Sequence, residues 1–286
     1  MNALAHAELA LKAFKNEKLS REQKDQLIVG TIIPDVPWVA SIDHHRTHTE
    51  GLQFLNTLPQ EYFPFGAGVV LHGERPAGVD HFSHHYKEGY VHRKRDKVLK
   101  KIRKFKQYWR GVSPNLAAHV MTEFSVDYFL AKKRVINRVS RAFKNKKIHK
   151  PTKLFWKHFK IPNDMHQHFA SKHVHKFFHT FRTQESLSEM WSYFMFFKSK
   201  GKVKICTMWD KMKLVAQLGA HTLQHKFRRQ RGIEDMFSDV QSEVEKDYKE
   251  FMSDTQEKLI ALKEELYQKK PFQIVPKKMH KAQYLT

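Results

Sequence analysis

The chain has 286 residues, 41% of them hydrophobic, a size and composition that support a folded core and exclude a disordered polypeptide. Its single cysteine, Cys206, excludes disulfides and all-thiolate zinc sites, so any metal site must use His, Asp, Glu or backbone ligands. The net charge of +23 lies in the middle: residues 91–233 carry 35 basic and 7 acidic side chains, against 8 and 11 in residues 1–90 and 9 and 11 in residues 234–286. Such a field favours phosphate-bearing partners, whether nucleic acid, anionic lipid headgroups or a phosphorylated substrate.

In chain order, Ala3 to Lys15 has helical patterning, and no basic segment precedes its apolar residues. Glu8 and Lys12 interrupt it, so it is expected to be a first helix rather than a signal peptide, as in an intracellular, cytoplasmic protein. A second helix is expected after Ser20, a candidate N-cap with Gln23 three residues on, and Pro34 and Pro37 stop it. Asp35 then sits just past a helix end. After the histidines His44, His45 and His48 comes an apolar segment ending at His72, a Gly/Pro loop, and a polar segment from Asp80. Val91 to Trp109 reads as a very basic helix, and Ser113-Pro114 opens another to about Ala142, with Leu116, Val120, Phe124 and Tyr128 at helical spacing.

The aromatic, basic stretch from Lys150 to Phe181 holds six histidines, with Asn163 or Asp164 as a cap. Apolar helical stretches run from Met190 to Arg231, and the run at Met190 to Phe197 is too short to span a membrane. Ile233, Phe237, Val240, Val244, Phe251, Leu259, Leu262 and Leu266 trace an amphipathic or coiled-coil helix that covers the core or pairs with a partner. The expectation is an all-α, multi-helix bundle over residues 1–232, basic from 91 on. A long C-terminal amphipathic helix over 233–270 and a tail at 271–286 would follow it.

Several polar clusters could hold metal. Residues four apart share a helix face, so His44 with His48, and His81 with His84 or His85, could each grip one ion. His119, Glu123 and Asp127 fall on one stripe of an otherwise apolar helix, where burial is costly unless the groups are paired with one another or bound to an ion. Hydrogen bonding inside a bundle would serve His119 and Glu123 equally well. His166, His168, His173, His175 and His179 fit a wet basic face, and His221 with His225 is a spacing that chance produces among twenty histidines.

The order of these residues is a histidine in the first helix (LAHAELA), then PD, then HHRTH, then an apolar helix ending LHG, then DHFSHH. It resembles the zinc-dependent phospholipase C family and related metal-dependent hydrolases over residues 1–130, and MNALAH is similar to the opening of acyl-carrier-protein phosphodiesterases. The resemblance implies a helical domain gathering two or three zinc ions. Its ligands would be His6, Asp35, His48 with His44 or His45, His72, and Asp80 or His81, with His84 or His85 as a further candidate. His119, Glu123 and Asp127 match a later metal-facing helix.

The expectation that follows is a metal-dependent phosphoesterase in which Asp35 or Glu123 orients or deprotonates water, while Arg46 and the basic helices neutralise the substrate. Its rival is a non-enzymatic, basic nucleic-acid-binding protein with a structural or vestigial metal site, bound through residues 91–232. The same region could meet an anionic lipid surface, and residues 233–270 could support self-association.

Overall fold

A computed structural model describes residues 3–35, 45–85, 87–109, 111–131, 135–161, 182–200 and 230–270. His44, the cap at Asn163 or Asp164, the histidines from His166 to His179, His221 with His225, and the tail after 270 lie outside these residues. As the spacing of apolar side chains predicts, the described residues form thirteen α-helices and four short 3-10 turns, with no strand among them. No helix among them is long and apolar enough to cross a membrane.

The first helix, α1 (Ala3–Ala13), is buried along most of its length, including His6. The next, α2 (Arg21–Gly30), starts as expected: the Ser20 hydroxyl accepts from the Gln23 amide at 3.2 Å and the Gln23 side chain accepts from the Ser20 amide at 2.8 Å. A 3-10 turn at Ile33–Asp35 follows α2. Short helices α3 (His45–Thr49) and α4 (Gly51–Thr57) lead to α5 (Phe63–His72) and α6 (Val79–His84).

The α2 and α5 helices cross with their backbones touching, and glycine is what permits it. A Cβ on Gly68 would stand 2.5 Å from the Leu27 carbonyl oxygen and 2.8 Å from the Thr31 nitrogen. One on Gly30 would overlap the Phe65 carbonyl. This crossing brings the end of α5, with His72, beside the turn that carries Asp35.

The basic helix α7 (Tyr90–Ile102) packs on α8 (Pro114–Ala131), and α9 (Val135–Lys144) packs on α2. The region expected to be one helix to Ala142 contains α8 and α9, with residues 132–134 between them outside the described residues. Next come α10 (His149–His158) and α11 (Gln184–Lys200). Residues 233–270 likewise form two helices, α12 (Gln230–Val244) and α13 (Tyr248–Lys269), rather than one.

Both belong to the same core. Met236, Phe237 and Val240 of α12 and Phe251, Leu259 and Leu266 of α13 are buried with Leu4, Phe63, Phe124 and Trp191. Three polar attachments hold them there. Lys94 of α7, only 3% exposed, reaches the Glu243 carbonyl at 3.0 Å and Asp247 at 2.7 Å. Lys263 pairs with Glu17 at 2.8 Å, and the Lys270 ammonium donates to the Leu55 and Leu58 carbonyls at the end of α4.

Candidate metal centre

Five helical elements converge on one buried polar cluster. His6 comes from α1, Asp35 from the turn after α2, His48 from α3, His72 from the end of α5, and Asp80 and His84 from α6. The α3 helix is docked by its own last turn, since the His48 carbonyl accepts from the Glu74 and Arg75 amides at 2.8 and 3.3 Å. Short helices have little stability of their own, so such tertiary bonds determine where His48 points.

The donor atoms of Asp35, His48, His72 and Asp80 lie within 4.8 Å of one another. His48 Nε2 is 3.4 Å from Asp35 Oδ1, 3.1 Å from Asp80 Oδ2 and 2.9 Å from His72 Nε2. His72 Nε2 is 3.6 Å from Asp35 Oδ1 and 3.3 Å from Asp80 Oδ2. A tetrahedral ion with ligand bonds of about 2.0–2.2 Å needs ligand-to-ligand edges of roughly 3.3–3.6 Å. The separations of 3.3, 3.4 and 3.6 Å fall in that range, whereas those of 3.1 and 2.9 Å from His48 Nε2 are shorter and would widen around an ion in a tetrahedral N2O2 site.

Hydrogen bonds also set the tautomers. The Thr47 hydroxyl donates to the Pro34 carbonyl at 3.0 Å, so it accepts from His48 Nδ1 at 3.0 Å. His72 Nδ1 donates to the Thr31 carbonyl at 2.9 Å. Each ring is thus protonated on Nδ1 and turns its Nε2 lone pair into the cluster, which is how metal-binding histidines are oriented.

The charges agree with a cation site. Burial acts to raise Asp80, but His84 and His72 nearby and hydrogen bonds from His48 and His6 hold it well below the usual carboxylate range. Asp35 is likewise lowered, burial being outweighed by His72 and by its bond to His48. Burial opposes protonation of His48, yet its bonds to Asp35 and Asp80 push it up to about 10. His72, fully buried, is shifted down by desolvation. Without a metal, the positive charge between the carboxylates is a proton on His48.

A second donor group adjoins the first: His84, His119 and Glu123. His84 Nε2 is 2.6 Å from Glu123 Oε1, and His119 Nε2 is 3.3 Å from the same oxygen. Burial would raise Glu123, but His119 and His84 help to keep it well below its ordinary value. Asp80 connects the groups, with Oδ2 facing His48 and His72, and Oδ1 facing His6 at 3.0 Å and His84 Nδ1 at 3.6 Å. The His6 ring also stacks on His72, with centroids 4.3 Å apart.

Four expected site residues lie elsewhere. His45 is on the exposed side of α3. His81 belongs to neither donor group, and its ring tilts against His85 with centroids 4.7 Å apart. Arg46, 45% exposed, is bound to Glu50 by two hydrogen bonds of 2.8 and 2.6 Å, so its guanidinium already has a carboxylate partner. Asp127 is buried but belongs to neither donor group: it accepts from the Leu4 and Ala5 amides at 3.2 and 3.1 Å and so caps α1. Burial outweighs those two bonds and pushes its pKa up to about 7.

Thr31 and Thr47, which orient the two central histidines, carry no sequence signal beyond standing next to the PD turn and to His48. No protein-family model, no curated protein and no solved structure matches the chain.

Proposed function

We propose that the chain is a metal-dependent phosphoesterase. In this reading Asp35, His48, His72 and Asp80 hold one divalent ion of the zinc type, and His84, His119 and Glu123 help to hold a second. The observation that carries it is the set of five donor separations of 2.9–3.6 Å among four buried or half-buried side chains. An all-nitrogen-and-oxygen donor set suits zinc, and also manganese or iron. Such ions, when bound, supply Lewis acidity toward a phosphoryl oxygen and make a water more acidic.

The chain's own residues have separate tasks. Asp35 is the carboxylate of the first group that reaches solvent, with 19% of its side chain exposed, so a phosphate group and a water approach from its side. Its lowered pKa keeps it anionic at neutral pH, which suits it to orient that water as a hydrogen-bond acceptor more than to remove a proton. Thr31 and Thr47 keep the two imidazoles in one tautomer. The chain's net positive charge gives the substrate's negative charge a favourable field. The resemblance to zinc-dependent phospholipase C implies a ligand set that includes Asp35, His48, His72 and, as one of two candidates, Asp80.

Hydrolysis of bis(p-nitrophenyl) phosphate and of p-nitrophenyl phosphate by purified protein tests the proposal. Activity should vanish on chelation, return with zinc or manganese, and be absent in Asp80→Asn. Turnover that survives chelation, or none with any divalent ion, would contradict it.

A further inference from the structure

From Tyr128 to Asn163 the sequence contains no Asp or Glu and twelve Lys and Arg. Five of these lysines recur at helical spacing: Lys146, Lys150, Lys153, Lys157 and Lys160. Lys146 lies in the 3-10 turn leading into α10, the next three lie on α10, and Lys160 lies in the turn that ends it; all five are exposed. Between them, Phe155, Trp156 and Phe159 are buried in the core, which fixes the lysine-bearing side toward solvent.

Helix stability does not explain the stripe. Like charges three and four residues apart repel, and cations in the first turn oppose the helix dipole. Interleaved acids would relieve both, and the segment has none. From outside the segment, Glu22 pairs with Lys147 at 2.6 Å, and Glu61 comes no nearer than 3.9 Å to Lys150. A groove of ≈ 510 Å³ runs between this face and the side chains of Glu22, Gln26 and Tyr62.

The shape of the charge selects the partner. From Lys146 to Lys157 the row is about 16 Å long at the helical rise. Along the groove it is bordered by Glu22 and Glu61, which limit the width of the basic band on that side. A helix that docks on a membrane also offers apolar side chains to the acyl boundary. Here the exposed positions from Lys144 to Lys160 are all lysine or histidine. A linear polyanion fits such a row, because each cation can meet a successive phosphate.

We propose that this face of α10 binds the phosphate backbone of a nucleic acid, without reading its bases, as a site separate from the metal centre. Binding of a short labelled oligothymidylate to the full chain, followed by fluorescence anisotropy over a range of salt concentrations, tests it. The variant with Lys146, Lys150, Lys153 and Lys157 all changed to Gln should bind at least about tenfold more weakly. Its plot of log K against log salt should be shallower by about 3, at roughly 0.7 for each phosphate of a single strand that the variant leaves unneutralised.

A control with Arg93→Gln, Lys97→Gln and Lys100→Gln removes exposed charge from α7 and should change binding far less. An unchanged salt slope in the α10 variant would overturn the site, and so would an equal weakening in the α7 control. Sedimentation with phosphatidylserine vesicles completes the test. Vesicle binding that depends on the α10 lysines, with no oligonucleotide binding, would assign the face to membranes and overturn the proposal.

Discussion

The Nε2 atoms of His48 and His72 face each other at 2.9 Å, while their Nδ1 hydrogens are committed to the Thr47 hydroxyl and the Thr31 carbonyl. Two imidazole lone pairs at that distance repel unless a cation lies between them. Asp35 and Asp80 supply the negative charge that attracts one, and either a proton or a metal ion can meet the need.

The orienting hydroxyl offers a first prediction. Thr47→Val keeps the shape but removes the hydroxyl that bonds His48 Nδ1 and the Pro34 carbonyl. Loss of such an outer partner costs about 10–100-fold in metal affinity. Competition with a chromophoric chelator measures it, and unchanged affinity would mean that Thr47 does not position the ring.

A second prediction concerns pH. With its pKa raised to about 10 in the folded chain, His48 binds its proton more tightly there than in the unfolded chain, where it titrates near 6.5. Its contribution to stability is fully present below about pH 6.5 and is lost as pH rises through about 10. Asp35, held below its ordinary value, contributes above about pH 4 and loses that contribution as pH falls further.

A metal must displace the His48 proton, so metal affinity rises with pH over the same alkaline window. Thermal unfolding with chelator and with excess zinc, compared from mildly acidic to mildly alkaline pH, should show a stabilisation by zinc that grows with pH. A gap independent of pH would exclude a proton on His48.

The crossing of α2 and α5 gives a third. A methyl group at Gly68 has backbone atoms of Leu27 and Thr31 in its way, and backbone cannot swing aside as a side chain can. Gly68→Ala should cost about 1–3 kcal/mol in urea denaturation. It should also weaken metal binding, because it moves the Thr31 carbonyl relative to His72. Wild-type stability in this variant would show that the helices separate without cost.

Much of this architecture was legible in the sequence, and the exceptions have physical causes. The donor order from His6 to Asp80 survives into the cluster because Asp35, His48, His72 and Asp80 stand at or beside helix ends marked by Pro or Gly, whereas Glu123 lies in the middle of α8 and was found by its polarity on an apolar helix. Adjacent histidines were ambiguous: on a helix one residue turns a side chain by about 100°, and the phase of so short a helix as α3 is set by tertiary bonds. Asp127 shares a stripe with His119 but stands about 12 Å further along α8, beyond the reach of one ion and level with the start of α1. The break between α12 and α13 was hidden because Val244 and Tyr248, both buried, keep four-residue spacing across the turn.

The joint between α7 and the C-terminal helices carries a fourth prediction. Lys94 is buried against Glu243 and Asp247, and Tyr90 donates to Asp247 at 2.9 Å. Removing one member of a buried pair leaves the other charge without its partner, at a cost of about 3–5 kcal/mol, reduced here because Asp247 is partly exposed. Lys94→Ala should therefore lower the urea midpoint clearly, and a change within experimental error would show that the ion pair does not hold α12 and α13.

Metal content is the most direct test of the centre itself. The protein would be stripped with chelator, reloaded with zinc, desalted and measured by inductively coupled plasma mass spectrometry, with Asp80→Asn treated in parallel and its fold checked by circular dichroism. At least one ion per chain is predicted for the wild type, and a clear loss of that ion from a folded Asp80→Asn. A folded wild type that retains no zinc, manganese or iron would contradict a metal site at Asp35, His48, His72 and Asp80.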